Sequence, residues 1–390
     1  MAVNLIRNSR VFFTTNVDSQ GRVRAGAYKD SNTYPFTVGN TWEIQVLEGF
    51  TFSQNTTIDT VTLNEAGEAP ARGQRSFNTA LEPLDFSFST YLRPYNNGSS
   101  VTAEERLLWN AFASAGAIGS GTAGWADGAS NATLTLANSN KHQLQAFGLI
   151  VVFDDLAYVL DNCALDTATL DFGIDAIAAV QWAGKGSLIR QLAITADQAN
   201  PVVLSGTDIA TDVGDTGAAT AKNPQAKYIT NKLTTLQVND AIGDFTGSDY
   251  TIPITGGSIA LSNNLTYLTP ANLGVVNLPI TYFTGTRSIT GTLTAYLRSG
   301  TTNTGGLLSG LLSNAANEIN PSYAINIQMG GGTNGTRVDI KLPAAMVQIP
   351  TVNTEQVIST TITFTGQGST GSAYNIDSAN EAAIEYYATV

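Results

Sequence analysis

The strongest constraint in this sequence is that it nearly repeats itself. Ile6-Arg7-Asn8-Ser9-Arg10-Val11-Phe12-Phe13-Thr14-Thr15-Asn16 has a counterpart 223 positions later in Ile229-Thr230-Asn231-Lys232-Leu233-Thr234-Thr235-Leu236-Gln237-Val238-Asn239. Phe52-Ser53-Gln54-Asn55-Thr56-Thr57-Ile58 matches Leu261-Ser262-Asn263-Asn264-Leu265-Thr266-Tyr267 at an offset of 209. Ser89-Thr90-Tyr91-Leu92-Arg93 matches Thr294-Ala295-Tyr296-Leu297-Arg298 at 205. The apolar stripe Leu107, Leu108, Ala111, Phe112 returns as Leu307, Leu308, Leu311, Leu312 at 200. Trp182-Ala183-Gly184-Lys185-Gly186 returns as Phe364-Thr365-Gly366-Gln367-Gly368 at 182. Each match is weak alone, but a shared order with steadily shrinking offsets points to one domain used twice. The largest step coincides with residues 115–141, rich in Ala, Gly, Ser and Asn, which reads as a loop inserted in the first copy. The expected division is a first copy over 1–199, a linker over 200–224 and a second copy over 225–390. A chain of 390 residues exceeds one ordinary core, which agrees with two units.

Within each copy the dominant period is two. Trp42-Glu43-Ile44-Gln45-Val46, Phe50-Thr51-Phe52-Ser53 and Leu84-Asp85-Phe86-Ser87-Phe88-Ser89 alternate apolar with polar. Ser258-Ile259-Ala260-Leu261-Ser262 and Ser288-Ile289-Thr290-Gly291-Thr292-Leu293-Thr294 do the same, and residues 170–181 and 358–365 are read as closing strands. This pattern means sheets with one face on a core and one face wet. The predicted fold class is mainly β: two tandem antiparallel sandwich or barrel domains, each with one short α-helix. Thr102-Ala103-Glu104-Glu105 ahead of the first helix has capping-box form.

Charge decides what such a chain can touch. Lys and Arg number 19 against 31 Asp and Glu, a net −12, and charged residues are only 13% of the chain. A basic groove that grips phosphates is not expected from this balance. A single Cys163 and a single His142 exclude a disulfide framework and a multi-Cys or multi-His metal site within the chain. The first 13 residues carry Arg7 and Arg10 without an apolar core, so no signal peptide is expected, and no apolar run approaches the length of a membrane span. The polar positions of the alternating strands form two sets. Glu43, Gln45, Thr51, Ser53, Asn55, Asp85, Ser87 and Ser89 make the first; Ser258, Ser262, Asn264, Ser288, Thr290, Thr292 and Thr294 make the second. Neither contains Lys or Arg.

The strand running over 229–236, the long hairpin, the short helix and the closing strand ending in Gly-x-Gly resemble tail tube proteins of tailed phages. Residues 165–186, running into Trp182-Ala183-Gly184-Lys185-Gly186, are the most family-like segment. The resemblance covers nearly the whole chain, twice. It implies a subunit whose hairpins join those of its neighbours into a continuous inner barrel, with rings stacked into a conduit for DNA. Family tubes carry six such domains per ring. Two per chain then imply a homotrimeric ring with pseudo-six-fold symmetry; a hexamer with the second copy as outer decoration is the alternative. Glu43, Gln45, Asp85, Ser87, Ser258, Ser262, Thr290 and Thr292 are the candidate lumen-facing residues. They would make transient contact with DNA without holding it. The implied partners are further copies of the chain and other tail proteins such as a sheath, baseplate or terminator, with no membrane and no cofactor. The implied location is the virion, after synthesis in the host cytoplasm, and no enzymatic activity is expected.

Competing readings are another ring- or shell-forming β protein, such as a secretion tube or capsid decoration, and a carbohydrate-binding or adhesive module. Sharper chemical readings are weaker. Asp171-Phe172-Gly173 lacks the glycine loop and catalytic loop of a kinase. Asp154, Asp155, Asp161, Asp166, Asp171 and Asp175 have no EF-hand spacing. Gly330-Gly331-Gly332-Thr333-Asn334-Gly335 lacks the phosphate-binding lysine and reads as a hairpin turn.

Overall fold

A computed structural model describes residues 9–24, 40–62, 73–121, 123–136, 143–153, 156–192, 226–245, 249–318, 322–330, 335–354, 357–370, 373–374 and 380–388. The 200–224 linker, His142, Asp154, Asp155 and residues 331–334 lie outside this set.

In the first half, β1 (Ser9–Thr14), β2 (Thr41–Ile44) and β3 (Thr51–Ser53) precede a hairpin of β4 (Thr56–Thr62) and β5 (Gln74–Leu81), then β6 (Leu84–Tyr91). A short ribbon, β7 (Pro94–Asn96) with β8 (Val101–Ala103), leads into α1 (Arg106–Ala113). After it come β9 (Trp125–Ala126), β10 (Ala132–Thr135), β11 (Phe147–Phe153), β12 (Leu156–Asp171), β13 (Ala179–Gly186) and β14 (Leu188–Leu192). Six antiparallel pairings run round a ring: β2·β1, β1·β11, β11·β12, β12·β13, β13·β6 and β6·β3. β2 and β3 are two pieces of one path, since Leu47 N–H between them donates to the Ser89 carbonyl at 2.8 Å.

The second half begins with a 3-10 turn at Asn231–Leu233, followed by β15 (Thr235–Asn239) and the long β16 (Tyr250–Ser262). A hairpin of β17 (Leu265–Leu268) and β18 (Thr281–Thr284), then β19 (Ser288–Tyr296) and α2 (Thr304–Asn317), come next. β20 (Tyr323–Gly330), β21 (Arg337–Val347), β22 (Thr351–Asn353), β23 (Ser359–Gln367), the pair β24 (Ser369–Thr370) and β25 (Ala373–Tyr374), and β26 (Ala383–Tyr387) complete the chain. Its pairings close a six-strand barrel in the same cyclic order: β16·β15, β15·β20, β20·β21, β21·β23, β23·β19 and β19·β16. Closure removes sheet edges within each ring.

The alternation sorts the side chains as expected. Phe86 and Phe88 on β6, Val180 and Trp182 on β13, Ile259 and Leu261 on β16, and Ile362 and Phe364 on β23 are all buried. The glycine of Trp182-Ala183-Gly184 is a packing requirement: a Cβ there would come within 2.4 Å of the Phe86 ring. Strand pairing and buried hydrogen bonds join the halves into one core. β12 runs beyond its own barrel and pairs with β16 from Thr167↔Ser262 to Asp171↔Ser258. The last strand, β26, pairs with β21 and also with β10 of the first half. Asn263 Nδ2 donates to the carbonyls of Phe112 and Leu165 at 3.0 and 3.1 Å.

Three local expectations differ. Residues 115–141 are not simply a loop: they carry β9 and β10, and Trp125 there is buried. Residues 170–181 are not one strand, because the chain reverses between β12 and β13, with Ala176 N–H donating to the Gly173 carbonyl. Gly173 was the turn signal that the alternation masked. The capping box is also absent. Helix α1 starts after Glu105 with no side-chain cap, and the Glu105 carboxylate instead accepts the backbone N–H of Arg93 at 3.2 Å. No helix among the described residues is long and apolar enough to cross a membrane.

Candidate functional site

Cross-strand partners point to the same face of a pleated sheet, so the ladder fixes which side chains stand together. Starting from β3, Thr51 lies opposite Ser87 on β6, Ser87 opposite Ala183 on β13, and Ala183 opposite Thr167 on β12. Thr167 lies opposite Ser262 on β16, and Ser262 opposite Ser288 on β19. A parallel row runs Ser89, Gln181, Thr169, Ala260, Thr290, Thr365 and Met346. Another runs Asp171, Ser258, Thr292 and Thr363. Eight strands in the order β3, β6, β13, β12, β16, β19, β23, β21 thus present one continuous face of small hydroxyl, amide and methyl groups.

Six of the eight candidate residues stand on this face: Asp85, Ser87, Ser258, Ser262, Thr290 and Thr292. Ser87 shares a hydroxyl–hydroxyl hydrogen bond with Thr51 at 2.8 Å, and Ser262 donates to Asn264 Oδ1 at 3.2 Å. Thr290 and Thr292 are exposed. Glu43 and Gln45 are not part of it. Glu43 lies opposite Phe12 on the β1·β2 ladder and takes a bidentate pair from Arg10 at 2.8 and 2.9 Å. Hydrogen bonding to Glu43 raises the Arg10 pKa above its ordinary value, against the desolvation that lowers it. Gln45 Oε1 accepts from Arg93 Nη1 at 2.6 Å, beside the buried Arg93–Glu104 pair. Both polar side chains are therefore engaged by arginines that the sequence pattern did not bring near them.

The face also carries a cation that grouping by strand missed. Lys185 lies opposite Asp85 and its Nζ reaches Asp85 Oδ1 at 2.9 Å. Its parity within Trp182-Ala183-Gly184-Lys185-Gly186 was the available signal, since Ala183 and Lys185 alternate with buried Trp182 and Gly184. Asp171, Gln181, Thr361, Thr363 and Thr365 lie within the strands read over 170–181 and 358–365 but were not grouped with either polar set, and Thr167 and Thr169 fall just before the first of those strands. Two of the described aspartates read as a possible cation cluster serve other ends. Asp161 is buried against Arg190 at 2.5 Å, and Asp166 Oδ1 accepts Leu265 N–H at 2.8 Å. Among the described residues no group of three or more His, Cys, Asp or Glu side chains is placed to hold a metal ion.

No protein-family model matches the chain. Over 369 residues, however, it is 32% identical to the tail tube protein pb6 of Escherichia phage T5, covering 93% of this chain and 72% of the relative. The chain belongs to the tail tube proteins of tailed phages. Its role is structural, in the tail tube of a phage virion, and the mainly β fold with its closed barrel is that of a tube domain. The polar face is accordingly the surface of a tube protein that most needs a functional account.

Proposed function

We propose that this tube protein is one tube domain used twice, over 1–199 and 225–390 with a linker at 200–224. Three chains then close a ring with pseudo-six-fold symmetry, and rings stack into the channel through which DNA leaves the virion. The observation that carries this reading is the identical cyclic order of strand pairing in the two halves, joined side by side by β12·β16. The ladder also supports the equivalence in detail: Phe13 and Leu236 hold matching places opposite Leu149 and Ile327, 223 residues apart. Other tail proteins meet the ends or outside of the tube.

In this reading the eight-strand polar face lines the channel, with Asp85, Ser87, Ser258, Ser262, Thr290 and Thr292 in the lumen. DNA is retained by cations that displace its counterions, each phosphate contact adding to the affinity. Hydroxyls and amides offer no such exchange, and Lys185 is partly neutralised by Asp85. The lumen therefore acts passively, letting the duplex slide. The Ser87→Lys/Thr290→Lys double variant tests it. Assembly should survive because both side chains are on the wet face, and DNA ejection from the variant virions should slow, most at low salt. Unchanged ejection kinetics would place this face outside the channel.

A further inference from the structure

The two halves meet along the β12·β16 seam and again where β26 lies between β21 and β10. At this second joint stands Tyr386, opposite Ala132 of β10 and Val338 of β21, with its ring 5.1 Å from that of Trp125. Its hydroxyl accepts Trp109 Nε1–H at 2.6 Å and donates to the Glu105 carboxylate. Glu105, only 2% exposed, also takes the backbone N–H of Arg93 at 3.2 Å. One buried carboxyl thus links the start of α1, the β6–β7 corner and the strand shared by both halves.

The charges around Glu105 do not balance when it is ionised. Arg93 is the cation that faces it, and Arg93 Nη1 is already held at 2.5 Å by Glu104, itself buried. Arg106, next along the chain, is turned to Thr102 and Asp127. Gln45 on Arg93 Nη1, the Tyr228 ring over the guanidinium and Tyr386 bring no positive charge. Gln45, Thr90, Arg93, Glu104 and Glu105 border a cavity of about 20 Å³, room for one water. The buried Arg93 Nε has no protein partner among the described residues and is free to donate to that water. With a proton on Glu105 the cluster is neutral. Without it, a net negative charge sits where little water reaches, which is costly.

The second half makes the same backbone contact without an ionisable group. Arg298, 205 positions after Arg93, donates its N–H to the Thr304 hydroxyl at 2.7 Å, at the start of α2. A neutral acceptor is therefore enough to hold this corner. What the carboxyl adds is a proton that can be given up.

We propose that Glu105 is a proton-operated latch on the joint between the two halves. With its proton it keeps Tyr386 and β26 seated against β10; when the joint opens, the carboxyl reaches water and releases the proton to solvent. The joint yields rather than the helix, since α1 is buried from Leu107 to Ala113 and β10 meets β26 over only four positions. The β12·β16 seam keeps the halves together meanwhile. The latch works within one chain and needs no ring. Burial lifts the Glu105 pKa from 4.5 to about 7, so the joint weakens as pH rises between those values.

Hydrogen exchange of the full chain, read by mass spectrometry and corrected for the intrinsic pH dependence of exchange, tests the latch. Between about pH 5 and about pH 7.5, protection of residues 132–135 and 383–387 should fall more than about tenfold, the factor that one pKa unit supplies. It should end below the protection of 167–171 and 258–262 in the seam. In Glu105→Gln the step should vanish, with the joint still protected at the higher pH. A flat wild-type profile, or a step retained in Glu105→Gln, would overturn the proposal. So would a fall shared equally by the seam, which marks unfolding of the whole molecule. Should Glu105→Gln not fold, Glu104→Gln decides: it leaves Arg93 to balance the ionised carboxylate, so the step should shrink, and a step of unchanged size contradicts the latch.

Discussion

Helices α1 and α2 carry the same apolar stripe and meet different fates. In α1 every residue from Leu107 to Ala113 is buried, under Trp125, the β10 strand and the C-terminal Tyr386, whose Oη accepts Trp109 Nε1–H at 2.6 Å. In α2 only Thr304, Leu307 and Leu311 are buried, and Leu312 is 51% exposed. The seam shows the same asymmetry, with Leu170 covered and Ile349 bare. α1 packs on β12 and is covered further by the inserted strands β9 and β10 and by Tyr386 of the second half, whereas α2 among the described residues packs chiefly on β16 of its own half. The proposed duplication would account for this difference, because the copy that carries the insertion gains cover that the other copy lacks.

The contrast can be broken most severely at the helices. Trp109→Ala should cost about 3–5 kcal/mol of unfolding free energy, the range for emptying a buried aromatic site. Leu312→Ala in the unassembled protein should stay within about 0.5 kcal/mol. Denaturant titration of the two variants measures the difference, and equal losses would mean that α2 is covered in solution. The seam gives the next largest effect. Leu170→Ala should destabilise the single chain by about 2–5 kcal/mol, whereas Ile349→Ala should leave it nearly unchanged until chains assemble.

The first half carries a pH dependence at the start of α1. Burial lifts the Glu105 pKa to about 7, although hydrogen bonds from Tyr386 and Arg93 oppose the shift. An acid whose folded pKa is raised binds its proton more tightly when folded. Its stabilising contribution is complete below the unfolded value of about 4.5 and is lost as pH rises through about 7. Glu105→Gln should therefore flatten the stability profile between those limits, a change of up to about 3 kcal/mol that pH-dependent thermal unfolding would register. In α2 the N-cap place that Glu105 holds in α1 is taken by Asn303, which has no proton to exchange in this range. A small change is expected at Lys185→Ala, under about 1 kcal/mol, because its bond to Asp85 is largely solvated.

What the sequence made legible follows from which signals are local. Period two placed Phe86, Phe88, Ile259 and Leu261 in the core and Ser87, Ser258 and Thr290 on the opposite face without any knowledge of pairing. The offset of 223 at Phe13 and Leu236 is also the offset of their ladder positions. The Tyr-Leu-Arg match is different: it lies at 205, while Ser87 and Thr290, equivalent by ladder, are 203 apart. Information carried between strands was out of reach. Arg10 on Glu43, Arg93 on Gln45 and Lys185 on Asp85 all depend on registers that no single strand encodes. Glu105 was misread for a similar reason, since a carboxylate three residues after a threonine looks like a cap until the neighbouring backbone claims it.

The most direct test of the duplicated-domain account is the number of chains in one ring of the assembled tube, measured by electron cryomicroscopy. Three chains, with the hydroxyl face inward, is the predicted result. Six chains per ring, with the second half forming an outer layer, would contradict it.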